Sequence, residues 1–412
     1  MNNLDKQPKE YDLVLGGNNP PPTDGLVLGG IDGLKLQFSN ANSEEKKIAI
    51  LQKASSYEEA GEAWLFDLIA TEKNKIQWLA AILLSNTKNE VYKELLLEYF
   101  AEFIPNNVEL WNEYKQALPD YKINLSEINL SGAKLYGIDL SGVNLNEADL
   151  SSSDLNKVDF SKASLIKANF KTSMICDSCL FQTDLSEAIL EKTLIVCLTL
   201  EKTILEKANL TSCEFLSSEI NNISLSNTNF QYADFNECIS IKNTIFGNNN
   251  NLKDTSFLSL DFENVTFSHV NLQGVSFVES SFKNTLFDNC DLTNTEFYTY
   301  ENGIVNLIFR ESNLENVDFK LSNLQGVKFD RVNLKGADFR WSDLTGVDFT
   351  GLDIRGANFT RCTFGNNNLD KANTEGAKFS SVDSPRFPPN LDTSNLEGAL
   401  FDDEHYYEPG YE

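Results

Sequence analysis

Apolar positions along this chain follow two different periods. From Ile123 onward they recur every five residues: Ala133-Lys-Leu135, Ile138-Asp-Leu140, Val143-Asn-Leu145 and Ala148-Asp-Leu150 each place a small or branched residue two positions before a Leu. With the Leu or Phe taken as the centre of each unit, centres fall at every fifth residue from Leu125 to Phe235, 23 units without a slip. The residue two before each of these centres is always Ala, Ser, Thr, Val, Ile, Leu or Cys. The register shifts near Cys238 and again within Gly247–Asn251, then resumes from Leu252 to Phe297. It shifts once more across Tyr298–Ile308 and runs from Phe309 to Phe379, with Thr374 as a weak centre. A third break contains Ser384–Pro389, after which Leu391, Leu396 and Phe401 are the last centres.

A period of five suits neither an α-helix at 3.6 residues per turn nor a lone strand at two. Two inward side chains per five residues suit a short extended segment followed by a turn, and four such segments close a square coil of about twenty residues, stacked on the next at about 4.8 Å. In 314–349 the centres alternate Leu and Phe, so four units per coil stack Phe on Phe along two opposite faces and Leu on Leu along the other two. Of the 28 Phe, 22 sit at centres, whereas none of the 13 Tyr does. An enclosed site accepts a benzene ring but leaves a phenol oxygen without a partner.

Between Ser43 and Leu118 the period becomes helical. Ile48, Leu51 and Ala54 form one stripe, and Ala60, Ala63, Leu65 and Leu68 a second. Ile76, Leu79, Ala80, Leu83 and Leu84 form a third, Val91, Leu95, Leu96 and Tyr99 a fourth, and Val108–Leu118 a fifth. Ahead of these helices, Leu13-Val-Leu-Gly-Gly17 and Leu26-Val-Leu-Gly-Gly30 flank Pro20-Pro-Pro22, a composition of turns and extended chain. The expected organisation is an extended Gly/Pro-rich segment over 1–40, a helical domain over 41–120, a β-helix over 121–402 and an acidic aromatic tail over 403–412. The fold class is mainly β, a parallel β-helix with an N-terminal α-helical domain.

Ala148-Asp-Leu150, Ala168-Asn-Phe170, Ala208-Asn-Leu210, Ala233-Asp-Phe235, Ala337-Asp-Phe339 and Ala357-Asn-Phe359 resemble the A(D/N)LXX unit of pentapeptide-repeat proteins. The resemblance covers about two-thirds of the chain. It implies a right-handed quadrilateral β-helix, here of about fourteen coils and on the order of 65 Å long. It implies no single activity. The short helices resemble HEAT or armadillo-like pairs. Their combination with LVLGG…PPP…GLVLGG resembles a segment that precedes repeat domains in cyanobacterial proteins.

Charge narrows the function. The chain carries 34 Lys and Arg against 61 Asp and Glu, a net charge of -27. Residues 123–308 hold 11 Lys and 24 acids, whereas 309–379 are neutral with 10 of each sign. This balance opposes direct binding to nucleic-acid phosphates or anionic lipid. No apolar run reaches 18 residues, and Met1–Glu10 lacks an apolar leader core, which gives the expectation of a cytoplasmic protein with no membrane association.

Candidate chemistry is sparse. Cys176 and Cys179 form a lone CxxC with no second pair, so no zinc site is expected. Cys213, Cys290 and Cys362 take the small-residue position and read as reduced interior fillers. His269 and His405 have no partner of catalytic spacing, and carboxylates just before the centres read as a solvated face. No catalytic residue, metal or cofactor is expected, and the chain is read as no enzyme. The register breaks are the surface candidates: Tyr298, Tyr300 and Glu301 in the second break, with Trp64 and Trp78 as helix-packing residues or lining of a peptide groove. The expected function is a non-catalytic protein–protein interaction scaffold or regulatory binding protein, with a homodimer through the coil ends as one arrangement. The alternative comes from the resemblance: some pentapeptide-repeat proteins mimic DNA and bind type II topoisomerases such as gyrase, and the acidity of 123–308 fits that reading while the neutral 309–379 opposes it.

Overall fold

The computed structural model describes residues 29–72, 75–118, 121–299, 303–380 and 398–400. The chain divides into two units, Met1–Leu125 and Ser126–Glu412.

The first unit is helical: α1 (Gly30–Ser39), α2 (Glu44–Ala54), α3 (Glu58–Thr71), α4 (Lys75–Leu84), α5 (Glu90–Phe103) and α6 (Val108–Ala117). α2 to α6 are the five helices read from the 3.6-residue stripes. Ser43 caps α2 by accepting from the Lys46 N–H, and Asn89 caps α5 by accepting from Val91 and Tyr92. α1 corrects the expected extended segment: residues 30–39 are helical because Leu34 and Phe38, four apart, bury one face, and Phe38 meets Trp64 edge to face at 5.5 Å. The duplicated Leu-Val-Leu motifs and Pro20–Pro22 lie outside the described residues.

Two stripes also shift. In α3 the buried line is Gly61, Trp64, Leu65 and Leu68, whereas Ala60 and Ala63 face solvent. In α5 Leu96 and Phe100 are buried, whereas Val91 and Leu95 are exposed. Small alanines at i−1 mimic the register of the true face, which the larger Trp64 fixes. α4 is buried all round, as its Trp-Leu-Ala-Ala-Ile-Leu-Leu run requires. After α6, Tyr121 donates through its hydroxyl to the Leu83 carbonyl at 2.6 Å, and Asn86 donates to the Lys122 carbonyl at 2.6 Å.

The second unit is a four-sided parallel β-helix. Equivalent residues pair at a stride of twenty, as Asn129 with Asp149 and Asp149 with Asn169, and this parallel pairing persists to Lys378 with Leu400. Each side is a three-residue segment whose centre points inward: Asp154–Asn156, Met174–Cys176 and Leu194–Val196 bury the middle residue and leave the flanks half-buried. Side chains alternate across an extended segment, so the flanks face out. At most corners the chain turns through a left-handed residue two after the centre: Glu147 has φ 60°, Lys167 59° and Gly142 66°. The N–H of the next unit closes many of these turns on the centre carbonyl, as Ala148 does on Leu145 at 3.1 Å.

The interior stacks as the alternation predicts and extends further. Phe215, Phe235, Phe257, Phe277, Phe297, Phe319, Phe339, Phe359 and Phe379 form one column with ring centroids 4.4–5.3 Å apart at each step. Phe246, Phe267, Phe287 and Phe309 start a second column at 4.7–5.0 Å. The two columns meet edge to face across the core, Phe277 with Phe287 at 5.6 Å and 78°. Several polar members of the small-residue position bond within the coil: Thr183, Thr193 and Thr203 each donate to a centre carbonyl of the preceding coil at 2.8 Å, whereas the buried Thr285 hydroxyl has no partner among the described residues. The shift near Cys238 is a bulge, with Leu216 opposite Glu237 rather than Asn236. The third break and the tail lie outside the described residues.

Two substitutions test these packings. A Cβ on Gly61 would overlap the Ala54 carbonyl, so Gly61→Ala should lower the stability of the helical unit by about 1–3 kcal/mol, read from the helical circular-dichroism transition in urea. Phe267 is fully buried, so Phe267→Tyr should cost about 1–3 kcal/mol for its unpaired hydroxyl, with a lower unfolding midpoint for the coil.

Candidate functional site

Each outward face of the β-helix consists of the two residues flanking a centre, repeated at every rung. Three faces are laced by polar contacts between rungs. Lys171 pairs with Glu191 at 3.0 Å, Lys335 with Glu315 at 3.4 Å, Lys283 with Glu263 at 2.5 Å and Arg310 with Asp288 at 2.8 Å. At one corner Lys167 pairs with Glu147 at 3.8 Å, and Lys207 with Glu187 at 3.9 Å. Asparagines form an amide ladder in which Asn264 donates to Asn243, Asn284 to Asn264 and Asn306 to Asn284, at 3.0–3.1 Å. These pairs are exposed and individually weak.

The Asp and Asn residues just before the centres are more than a solvated face. Asp139, Asp159 and Asp184 accept the backbone N–H two residues on, from Ser141, Ser161 and Ser186, at 2.8–3.0 Å. They are Asx turns that bind the corner, which is why the repeat asks for Asp or Asn there. The Arg355 guanidinium two residues on keeps Asp353 below the usual carboxylate range, and on the flank after a centre Arg310 of the next rung does the same for Asp288.

The fourth face, backed by the longer Phe column, differs. Cys176 lies beside Val196 and Val196 beside Leu216 on adjacent strands, with Met174 and Leu194 on the other flank. After the bulge at Asn236, the line resumes with Leu258, Val278 and Tyr298, whose rungs follow from the pairings Asp234–Ser256, Ser256–Ser276 and Ser276–Glu296. All six side chains are half-buried. Further along, the corner beside this face carries Leu321 and Trp341, 59% and 53% exposed, and the Arg361 guanidinium lies 4.3 Å over the Trp341 ring. Both Leu321 and Trp341 hold left-handed backbone, at φ 58° and 65°, which is uncommon for bulky side chains. Across the rungs of this face Ser259 donates to Glu279 at 3.0 Å and Ser276 to Glu296 at 3.5 Å. Glu214, Asp234 and Glu296 line one side of the apolar row and Asp177 and Glu279 the other, while the bulge sets Glu237 opposite Leu216.

The structure places the sequence candidates as follows. Tyr298 ends the apolar row. Tyr300 and Glu301 lie outside the described residues. Trp64 and Trp78 are interior, 6% and 3% exposed; Trp78 stacks on Tyr99 at 4.9 Å, and burial with the nearby Tyr114 pushes the Tyr99 phenol up to about 12. In this unit a groove of about 530 Å³ runs instead along Leu36, Asn40, Lys46 and Ile50. His269 sits on a corner with its Nδ1 2.9 Å from the Ser268 hydroxyl. Among the described residues no cluster of His, Cys, Asp or Glu could hold a metal ion, and no helix is long and apolar enough to cross a membrane.

The cysteines split into two groups. Cys213, Cys238, Cys290 and Cys362 are buried, and burial pushes each thiol up to about 12. Cys213 and Cys362 each direct the thiol at a carbonyl 2.7 Å away, in the role that Thr183 plays with its hydroxyl. Cys179 and Cys197 are exposed; Cys176, in the apolar row, is raised by burial and then by Asp177 and Cys197.

Residues 123–161, 153–191 and 261–297 match the family model of pentapeptide repeats, and 281–359 match that of a pentapeptide repeat region. These segments carry the pentapeptide repeat that the sequence resembles. Among solved structures, the chain is similar to HetL, a pentapeptide repeat protein involved in heterocyst differentiation regulation from the cyanobacterium Nostoc sp. strain PCC 7120, at 21% identity over 62% of this chain and 88% of that one, with a TM-score of 0.20. It is similar to QnrB1, a plasmid-mediated fluoroquinolone resistance protein, at 16% identity over 51% and 90%, with a TM-score of 0.24. It is also similar to Rfr23 from the cyanobacterium Cyanothece 51142, at 19% identity over 37% and 95%, with a TM-score of 0.12. No curated protein matches the chain.

Thiol labelling checks the two cysteine groups. Three of the seven thiols should react in the native protein, Cys176 slowest, and all seven in denaturant, counted by a thiol-reactive chromophore at neutral pH.

Proposed function

We propose that this protein, its second unit a pentapeptide-repeat solenoid, is a non-catalytic interaction scaffold that presents a fixed lateral surface to a protein partner in the cytoplasm. The observation that supports this reading is the apolar row itself. On a surface otherwise laced by carboxylates, cations and amides, one face sets Cys176, Val196, Leu216, Leu258, Val278 and Tyr298 in line on a rigid backbone. Aliphatic side chains on an outward face contribute little to the core, which the Phe columns already fill, and apolar side chains gathered on one outward face mark an interaction site. The scaffold brings no preorganised acid, base or nucleophile to that row, so the reading is of binding without turnover. The cytoplasmic location is favoured by four cysteines used as packing residues.

The alternative, a DNA mimic occupying a type II topoisomerase, has less support. Mimicry needs a continuous track of uncompensated negative charge. Here lysines alternate with glutamates along the ladders Glu147–Lys167 and Glu187–Lys207, and residues 309–379 are neutral.

Affinity capture at physiological salt, with the full chain as bait and mass spectrometry as readout, tests the scaffold reading. A partner retained by the full chain without substrate turnover is expected; retention of nothing above a bead control would sink it. The same full chain at micromolar concentration should leave gyrase supercoiling unchanged, and inhibition would revive the mimic.

A further inference from the structure

The apolar row also specifies its occupant, on the premise that the solenoid is an interaction scaffold. We propose that the row from Cys176 to Tyr298 seats a basic amphipathic α-helix of about 19 residues from a partner protein.

Three observations lead to a helix of that charge. First, the lateral faces have no backbone groups to offer a strand. The ladder consumes them between rungs, as Cys197 N–H to Leu216 carbonyl at 2.9 Å, Ser259 to Val278 at 2.9 Å and Glu279 to Tyr298 at 2.7 Å. Strand addition needs unpaired edge groups, which leaves side-chain packing as the means of attachment. Second, the row is one side chain wide and follows the stacking direction. Six rung steps separate Cys176 from Tyr298, about 29 Å at about 4.8 Å per step. A helix rises about 5.4 Å per turn, so each turn meets about one rung, and about 19 residues cover the row. Its own stripe at i, i+3, i+4 and i+7 is a single line of the same width. Third, the row is fenced by acids on both sides, Glu214, Asp234 and Glu296 on one and Asp177 and Glu279 on the other, and the bulge adds Glu237 opposite Leu216. A partner that is apolar in the middle and cationic on both flanks complements this pattern. A second copy does not: it would set the same acidic fences against each other in a chain of charge -27.

The row has a built-in interruption. At Asn236 the side chain accepts from Ser256 at 2.5 Å and from the Leu258 N–H at 3.3 Å, and the Glu237 bulge displaces the flank. The proposed helix therefore contacts two apolar blocks, Met174 to Leu216 and Leu258 to Tyr298, about two turns apart, and reads the spacing between them.

The test uses the full chain and a fluorescent 19-residue peptide with Leu at i, i+3, i+4 and i+7 and Lys elsewhere, against a scrambled peptide of identical composition. Fluorescence anisotropy at physiological salt should show the ordered peptide binding at least tenfold more tightly than the scrambled one, with helical circular dichroism rising on binding. The variant Val196→Asn/Leu216→Asn/Val278→Asn changes only half-buried outward residues and should weaken the ordered peptide at least tenfold. Ile204→Asn/Ile245→Asn, on the opposite face, should leave it unchanged. Equal affinity for the two peptides, or binding untouched by the triple substitution, overturns the proposal. If lysate capture yields a partner that the triple variant still retains, the scaffold reading stands and the helix seat falls; if no partner is retained by either chain, the scaffold reading itself falls.

Discussion

The structure depends on one constraint: every inward side chain must stack on its counterpart in the rung twenty residues away. The coil is too narrow to hold more than one layer of side chains from each face, so each centre has neighbours above, below and across. The Phe277 ring shows all three, stacked on Phe257 at 5.3 Å and on Phe297 at 4.9 Å, and edge to face with Phe287. Offset stacking along a column and edge contacts across it are the two favoured arrangements of aromatic quadrupoles. A square section supplies both at once. This explains why Phe concentrates at centres and why Leu suffices on the faces between.

The same constraint sets the corners. To return a centre to its column after twenty residues, each side must end in a sharp turn, and the backbone reaches it only through a left-handed residue. Lys162, Lys192 and Lys207 occupy such positions at φ 58–60°, a conformation that costs an L residue about 1–2 kcal/mol. The ladder N–H bonds and the Asx acceptors offset that cost, and Gly142 or Gly346 avoids it. The turn chemistry is therefore distributed between position −1, which accepts, and position +2, which twists. The ions seen there are secondary to this geometry.

Much of this was legible because the constraint is periodic. The five-residue spacing fixes centres, small positions and breaks, and the Phe alternation in 314–349 fixes the number of sides. The helical stripes locate α2 to α6. What escaped was not periodic at that scale. α1 is short and follows a Gly-rich stretch, so local composition masks Leu34 and Phe38, whose burial depends on Trp64. Ala60 and Ala63 imitate a buried face that the larger Trp64 and Leu68 decide. Tyr298, singled out in the sequence as a residue of a register break, stands in the structure at the end of a row whose other members lie up to 122 residues upstream in sequence.

That row lies at a different stride from the one that sets the fold. A five-residue reading averages the outward positions of all four faces, and mixed with Ser, Asn, Lys and Glu from the others, Val196, Leu216 and Val278 look like scattered exceptions. A twenty-residue reading, corrected for the one-residue shifts at the Glu237 bulge and within Gly247–Asn251, separates the faces and sets them in line. The inward positions are constrained by stacking and can carry little specificity. The outward positions are nearly free of it, since exchanging one half-buried flank leaves the Phe column intact. An exchange in one column of one face therefore leaves the stacked core in place, which is how a single column can be apolar beside three faces laced by polar rungs.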